Sequence, residues 1–188
     1  FRSQKIYNIQ NPQKNRSIDT VFVGRLTEQK DPLAFITCID ILKSKGLKLK
    51  AVIIGNGELK NSCIREINRL GLENEITMLG FHSNPYIFMA DSKAMVLPSK
   101  WEGFGLVAME ALSLGVPVVC TGVGGLKEFV TNGKNGFICS GLDEITEAVN
   151  RLLTDNELWE HMSCNAIKTA RTRNDFEAYI AKIKELYY

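Results

Sequence analysis

Asp19-Thr-Val-Phe-Val-Gly24 is a short β-branched and aromatic run ending on glycine, and Asp31-Pro32 stands a short polar loop further on. The run reads as a buried strand. Asp31 then reads as a helix N-cap, with Pro32 in the first turn. Leu33, Phe35, Ile36, Ile39, Ile41 and Leu42 supply the apolar face of that helix, and Gly46 closes it. The unit recurs. Leu49–Ile54, Glu75–Leu79, Ala94–Leu97, Val116–Cys120 and Phe137–Cys139 read as further short strands. Helices are expected at about 58–70 (stopped by Gly71), 85–90, 106–114, from near Leu126, 142–153, 156–170 and 174–187. Short apolar strands alternating with helices predict an α/β fold: a doubly wound, Rossmann-like parallel sheet of about six strands with helices on both faces. Ligands of such sheets bind beyond the carboxyl ends of the strands.

The chain has 188 residues, the upper end of one ordinary domain. A chain of that size buries roughly 70% of its unfolded surface. Disulfides are therefore not needed, and the five cysteines, with no CxxC pair or zinc spacing, are expected to be ordinary buried thiols. A balance of 23 Lys+Arg against 21 Asp+Glu gives no charge argument for nucleic acid or an anionic membrane as a partner; no nucleic acid is expected, and membrane association is left open. No run approaches the ~18–20 apolar residues of a membrane span. The chain opens on Phe1, so it is expected to be a piece of a longer protein. Residues 1–18 are expected to connect to a missing N-terminal domain, 19–172 to form the Rossmann-like domain, and 173–188 to form a final aromatic-bearing helix that docks toward the missing part. The expected location is cytoplasmic, with any membrane contact made through that missing half.

The chemistry concentrates in the loops after the strands. Between Leu106 and Leu114 only Glu110 and Ser113 are polar, so this helix is expected to be buried nearly all round. A carboxylate there loses its hydration at a cost of several kcal/mol (about 2–7 for a neutral polar group, more for a charge) unless something pairs with it. No Lys or Arg lies between Trp101 and Leu126, which points to a hydroxyl-bearing ligand or a distant cation. Glu102 stands seven residues earlier, before Gly103-Phe104-Gly105-Leu106, where glycines and a helix N-terminus allow close approach of an anion. After the first strand, Gly24-Arg25-Leu26-Thr27-Glu28-Gln29-Lys30 brings two cations to the carboxyl edge. Either this is a solvated loop or it clamps a diphosphate. Gly55-Asn56-Gly57 starts like a dinucleotide fingerprint but has Lys60 where the third glycine would stand, so it is weak evidence beyond a tight turn. Thr121-Gly-Val-Gly-Gly-Leu126 adds another glycine-bearing loop at the same edge.

Taken in order and spacing, Gly-Arg-Leu…Lys30-Asp, Gly55-Asn-Gly57, Leu97-Pro-Ser99, Glu102-Gly-Phe-Gly-Leu…Glu110-Ala, Gly115-Val-Pro-Val-Val and Gly-Gly…Glu128 resemble one known series. The chain is similar, from roughly Thr20 to Leu153, to the C-terminal domain of retaining GT-B glycosyltransferases of glycosyltransferase family 4. The resemblance implies a donor-binding half that moves a sugar from a nucleotide diphosphate sugar to an acceptor hydroxyl, the acceptor domain being absent. It implies that Arg25 and Lys30 hold the diphosphate in place of a metal ion. Glu102 would contact sugar hydroxyls, and Glu110 would accept hydrogen bonds from the ribose. Gly24, Gly55, Gly57, Gly103 and the backbone of Phe104, Gly105 and Leu106 would line the donor, with the base near Phe81. No metal and no cofactor are implied, the nucleotide sugar being a substrate. His82 reads as a loop histidine. A glycoside hydrolase would also use two carboxylates, but one of them buried in a helix beside phosphate-type glycines makes little sense for hydrolysis. A sugar-nucleotide epimerase and a catalytically silent nucleotide-binding module stay open as alternatives.

Overall fold

The computed structural model describes residues 15–173. Its strands are β1 (Ile18–Val23), β2 (Ala51–Ile54), β3 (Ile76–Gly80), β4 (Ser92–Leu97), β5 (Val118–Thr121) and β6 (Gly136–Cys139). Its helices are α1 (Pro32–Ser44), α2 (Lys60–Leu70), α3 (Tyr86–Ala90), α4 (Leu106–Ser113), α5 (Leu126–Phe129), α6 (Leu142–Thr154) and α7 (Asn156–Arg173). The strands form one six-stranded sheet in the order β3-β2-β1-β4-β5-β6, with every pairing parallel. This is the Rossmann-like architecture expected, with strand ends shifted by a residue or two.

Alternation along the strands assigns the two faces. Phe22, Ile53, Val96 and Val119 pack with Phe35, Ile36 and Ile39 of α1, Ile67 of α2 and Ile145 and Val149 of α6. Val21, Ile54, Met95, Leu97 and Val118 turn the other way, onto Met89 of α3, Ala108 and Leu112 of α4, Leu126 of α5 and Ala166 and Ala170 of α7. The chemistry-bearing loops are thereby left free at one edge. The Asp31-Pro32 start is realised: Asp31 Oδ1 accepts from the Ala34 N–H at 3.2 Å and Pro32 opens α1. Gly71 caps α2 in the left-handed region, at φ 63.

The expected final helix, like residues 1–14, lies outside the described residues. The described end of the expected connector is bound into the domain. Arg16 is 7% exposed and donates to the carbonyls of Ser92 (2.6 Å), Leu114 (3.1 Å) and Gly115 (3.0 Å). Its guanidinium lies 5.3 Å from the ring centroid of Trp159, and burial, only partly offset by Asp91, pushes its pKa down to about 10. One side chain therefore ties together the start of β4, the end of α4 and α7. Arg16→Ala should lower unfolding free energy by about 3 kcal/mol, roughly 6–12 °C in melting temperature for a domain of this size. Thermal unfolding followed by circular dichroism measures it, and a change within 2 °C or so would show that those carbonyls find water instead.

Candidate functional site

All six strands point the same way, so the loops following them meet at one edge of the sheet. Strand order reverses between β1 and β4, which opens a crevice between their loops. Backbone and side chains close that crevice at one point: Lys100 N–H donates to the Gln29 carbonyl (2.8 Å), Gln29 Nε2 to the Trp101 carbonyl (3.2 Å), and Lys100 Nζ pairs with Glu28 Oε1 (3.1 Å). Between these ties Lys30 Nζ and Glu102 Oε2 form an ion pair with side chains only 13% and 9% exposed. At ~4 Å and an effective dielectric near 20 such a pair contributes about 4 kcal/mol before desolvation. The sequence placed Lys30 and Glu102 on different parts of a ligand. The structure joins them to each other. Arg25 stays exposed on the same loop, its guanidinium 3.4 Å from Gln29 Oε1.

Next to this pair α4 begins. Its N-cap is Gly105, at φ 66, with no side-chain cap and no acid in the first turn. The N–H groups at such a start have no acceptor within the helix, and they favour an anion. Burial of this helix was expected nearly all round, and here the structure corrects the sequence. Leu106 is 65% exposed and Val107 and Met109 are half-buried. The buried positions, Ala108, Ala111 and Leu112, lie further along the helix and join the core against the sheet.

The glycines have identifiable neighbours. A Cβ on Gly55 would fall 1.8 Å from the Gly24 carbonyl oxygen, and one on Gly57 would fall 2.4 Å from that of Leu26. Both are therefore required by packing of the β2 loop on the β1 loop, whatever else they touch. Gly124, at φ +48, would place a Cβ 1.7 Å from the Glu102 carbonyl oxygen, so the β5 loop forms the floor on which Glu102 rests. The position a Cβ would take on Gly24 makes only ordinary contact, 3.7 Å from Lys30 Cγ, and Gly103 faces open space.

Glu110 is half-buried in α4. Its partner is the Tyr86 hydroxyl, which donates to Oε1 at 3.0 Å. Among the described residues no salt bridge reaches it. Burial pushes the Glu110 carboxyl above the usual range, and the Tyr86 hydrogen bond pulls against that rise. Sequence reasoning missed Tyr86: nothing in Tyr-Ile-Phe-Met-Ala signals that a short helix after β3 will set its hydroxyl against an acid in α4. Phe81, Ile87, Trp101, Phe104 and Leu106 are all more than half exposed on the loops and first turns of this same edge, a concentration of apolar surface of the kind that marks a contact site. His82 accepts from the Asn84 N–H through Nδ1 (3.2 Å) and stands edge-on to Phe88. Of the cysteines, Cys38, Cys63, Cys120 and Cys139 are buried, and Cys164 is exposed, contrary to expectation. Burial pushes the Cys120 thiol up to about 12. Among the described residues no three of His, Cys, Asp and Glu come together in a group that could hold a metal ion, and no helix is long and apolar enough to cross a membrane.

With that geometry in hand, comparison with known proteins is specific. The family model described as Glycosyl transferases group 1 matches residues 3–169. The capsular polysaccharide biosynthesis glycosyltransferase CapM of Staphylococcus aureus is 35% identical over 163 residues, covering 85% of this chain and 42% of the relative. HepE of Anabaena, solved in complex with UDP and glucose, superposes with a TM-score of 0.81 at 27% identity, covering 90% of this chain and 48% of that one. The C-terminal domain of the glycosyl transferase group 1 family protein LpcC of Francisella tularensis, solved by itself, shares the fold with a TM-score of 0.76 at 23% identity, covering 89% of this chain and 95% of that one. The chain spans less than half the length of the curated relatives it matches.

Proposed function

The chain belongs to the glycosyl transferases of group 1, and we propose that it is the donor-binding half of a retaining, metal-independent glycosyltransferase of the family 4 type. The observation that carries this reading is the Lys30–Glu102 pair at the strand-order reversal, beside an uncapped helix N-terminus and one turn from a half-buried acid. A nucleotide diphosphate sugar supplies what each group lacks. Its diphosphate takes Lys30, Arg25 and the N–H groups at the start of α4. Glu102, released from Lys30, accepts from sugar hydroxyls. Glu110 accepts from ribose hydroxyls through the oxygen that Tyr86 leaves free. That HepE holds UDP and glucose on the same fold supports a nucleotide sugar as the ligand.

The chemical demand is to stabilise charge as it develops on the departing diphosphate while the anomeric carbon becomes cation-like. Fixed cations and backbone N–H groups meet it without a metal and without reorganising at the moment of reaction. The remainder of the protein provides the acceptor site, against which the apolar edge of Phe81, Trp101, Phe104 and Leu106 closes. Nothing in the family match favours an epimerase. Calorimetric titration of the chain with uridine, guanosine and adenosine diphosphates tests the donor half: one of them should bind, and transfer should require the complete protein. The anomeric configuration of the product, read by NMR, tests retention. An inverted product would reject the mechanism, and failure of all three nucleotides would reject the site.

A further inference from the structure

We infer that Tyr86 is a positioning residue for nucleotide recognition: its hydroxyl fixes Glu110, so that ribose hydroxyls are read by an acid of fixed orientation. The inference rests on the donor-site reading above. Tyr86 is the first residue of α3, directly after the β3 loop that carries Phe81, whereas Glu110 sits in α4 after the β4 loop. Their hydrogen bond therefore links two loops of the carboxyl edge through the helices behind them. The geometry suits a division of labour, since Tyr86 engages Oε1 and, among the described residues, no hydrogen bond engages Oε2.

Among the described residues the charge on Glu110 has little other support. The remaining residues of α3, Ile87–Ala90, are uncharged, and so is every other residue of α4. Strand β5 contributes Val118, Val119, Cys120 and Thr121. The charged residues of α5, Lys127 and Glu128, are exposed, as are Glu157, Glu160, His161, Lys168 and Arg171 of α7. On β4, Lys93 is paired with Asp19. Burial works to neutralise Glu110, and the phenol is the neighbour that opposes it. A neutral acid accepts hydrogen bonds more weakly than a carboxylate, so losing the phenol costs ribose affinity twice, in orientation and in charge.

Tyr86→Phe keeps the ring among its apolar neighbours and removes only the hydroxyl. The tightest of uridine, guanosine and adenosine diphosphates is compared with its 2′,3′-dideoxy form on wild type, Tyr86→Phe, Glu110→Gln and the double variant, between about pH 5.5 and 8.5. Wild type should prefer the hydroxylated nucleotide. Tyr86→Phe should reduce that preference about tenfold and move the pH at which it is lost to a higher value, leaving the dideoxy form bound within about twofold. In the Glu110→Gln background the same change should be silent. Carbon-13 NMR titration of the Glu110 carboxyl, which needs no ligand, should show the same alkaline move. An unchanged preference together with an unchanged carboxyl titration in Tyr86→Phe would overturn the inference while leaving the donor site standing. A wild-type chain that binds none of the three nucleotides would overturn both.

Discussion

Lys30→Ala is expected to lower turnover of the complete enzyme by roughly 10²–10³-fold, the loss found when one preorganised donor to a developing oxyanion is removed. The variant also strips Glu102 of its partner, and an acid only 9% exposed then stands uncompensated. Stability and catalysis must therefore be separated. Lys30→Met combined with Glu102→Gln removes both charges, and should recover the melting temperature that Lys30→Ala loses without recovering turnover. A Lys30→Ala enzyme with near-normal turnover would mean that the pair is a structural tie between the β1 and β4 loops and that the diphosphate charge is met elsewhere. Arg25→Ala should act in the same direction with almost no effect on stability, because among the described residues its exposed guanidinium makes one long hydrogen bond, to Gln29.

Glu110→Ala should weaken nucleoside diphosphate binding by about ten- to a hundredfold, the worth of one hydrogen bond to a charged acceptor. Its isosteric counterpart separates function from stability. The Glu110 carboxyl is raised by burial, so the folded state holds that proton more tightly than the unfolded chain. The stability this confers is fully present below the unfolded carboxyl range and is lost as pH rises through the folded value. At neutral pH the ionised acid is thus a burden on the fold. Glu110→Gln should raise the melting temperature at pH 7–8 and give no gain at acidic pH, while ribose recognition falls. Equal melting temperatures for wild type and Glu110→Gln across that range would show that water inside the crevice already solvates the carboxylate. A site residue that costs stability is the pattern expected where function rather than folding selects the side chain.

The strands and helices were legible because each is encoded within a few residues. Val21 and Phe22 alternate, Asp31-Pro32 starts a helix and Gly71 stops one. The edge of the sheet that gathers the candidate loops follows from parallel order alone. Partnerships across loops were not legible. Lys30 and Glu102 lie 72 residues apart in the chain, and their meeting depends on β1 and β4 being neighbours. Tyr86 and Glu110 meet only because α3 and α4 pack on the same face. Arg16 looked like part of a polar connector because a buried arginine bonded to three carbonyls has no local signature. The misjudged burial of α4 has a related cause: composition reports that a helix is apolar, and only the sheet beneath it reports where the cover ends. Leu106 opens the exposed first turn, and Phe104 stands exposed just before it.

The proposed donor site lies at the carboxyl edge, whereas the other end of the sheet offers a cavity of about 700 Å³ lined in part by Lys43, Lys48 and Lys50. Backbone amide NMR of the chain, with and without the nucleoside diphosphate that binds it, decides between the two. The largest shifts should fall on Arg25, Lys30, Glu102, Gly103, Leu106 and Glu110, with Leu47–Lys50 unmoved. Shifts confined to Leu47–Lys50 and their neighbours, with Glu102 and Glu110 silent, would contradict it.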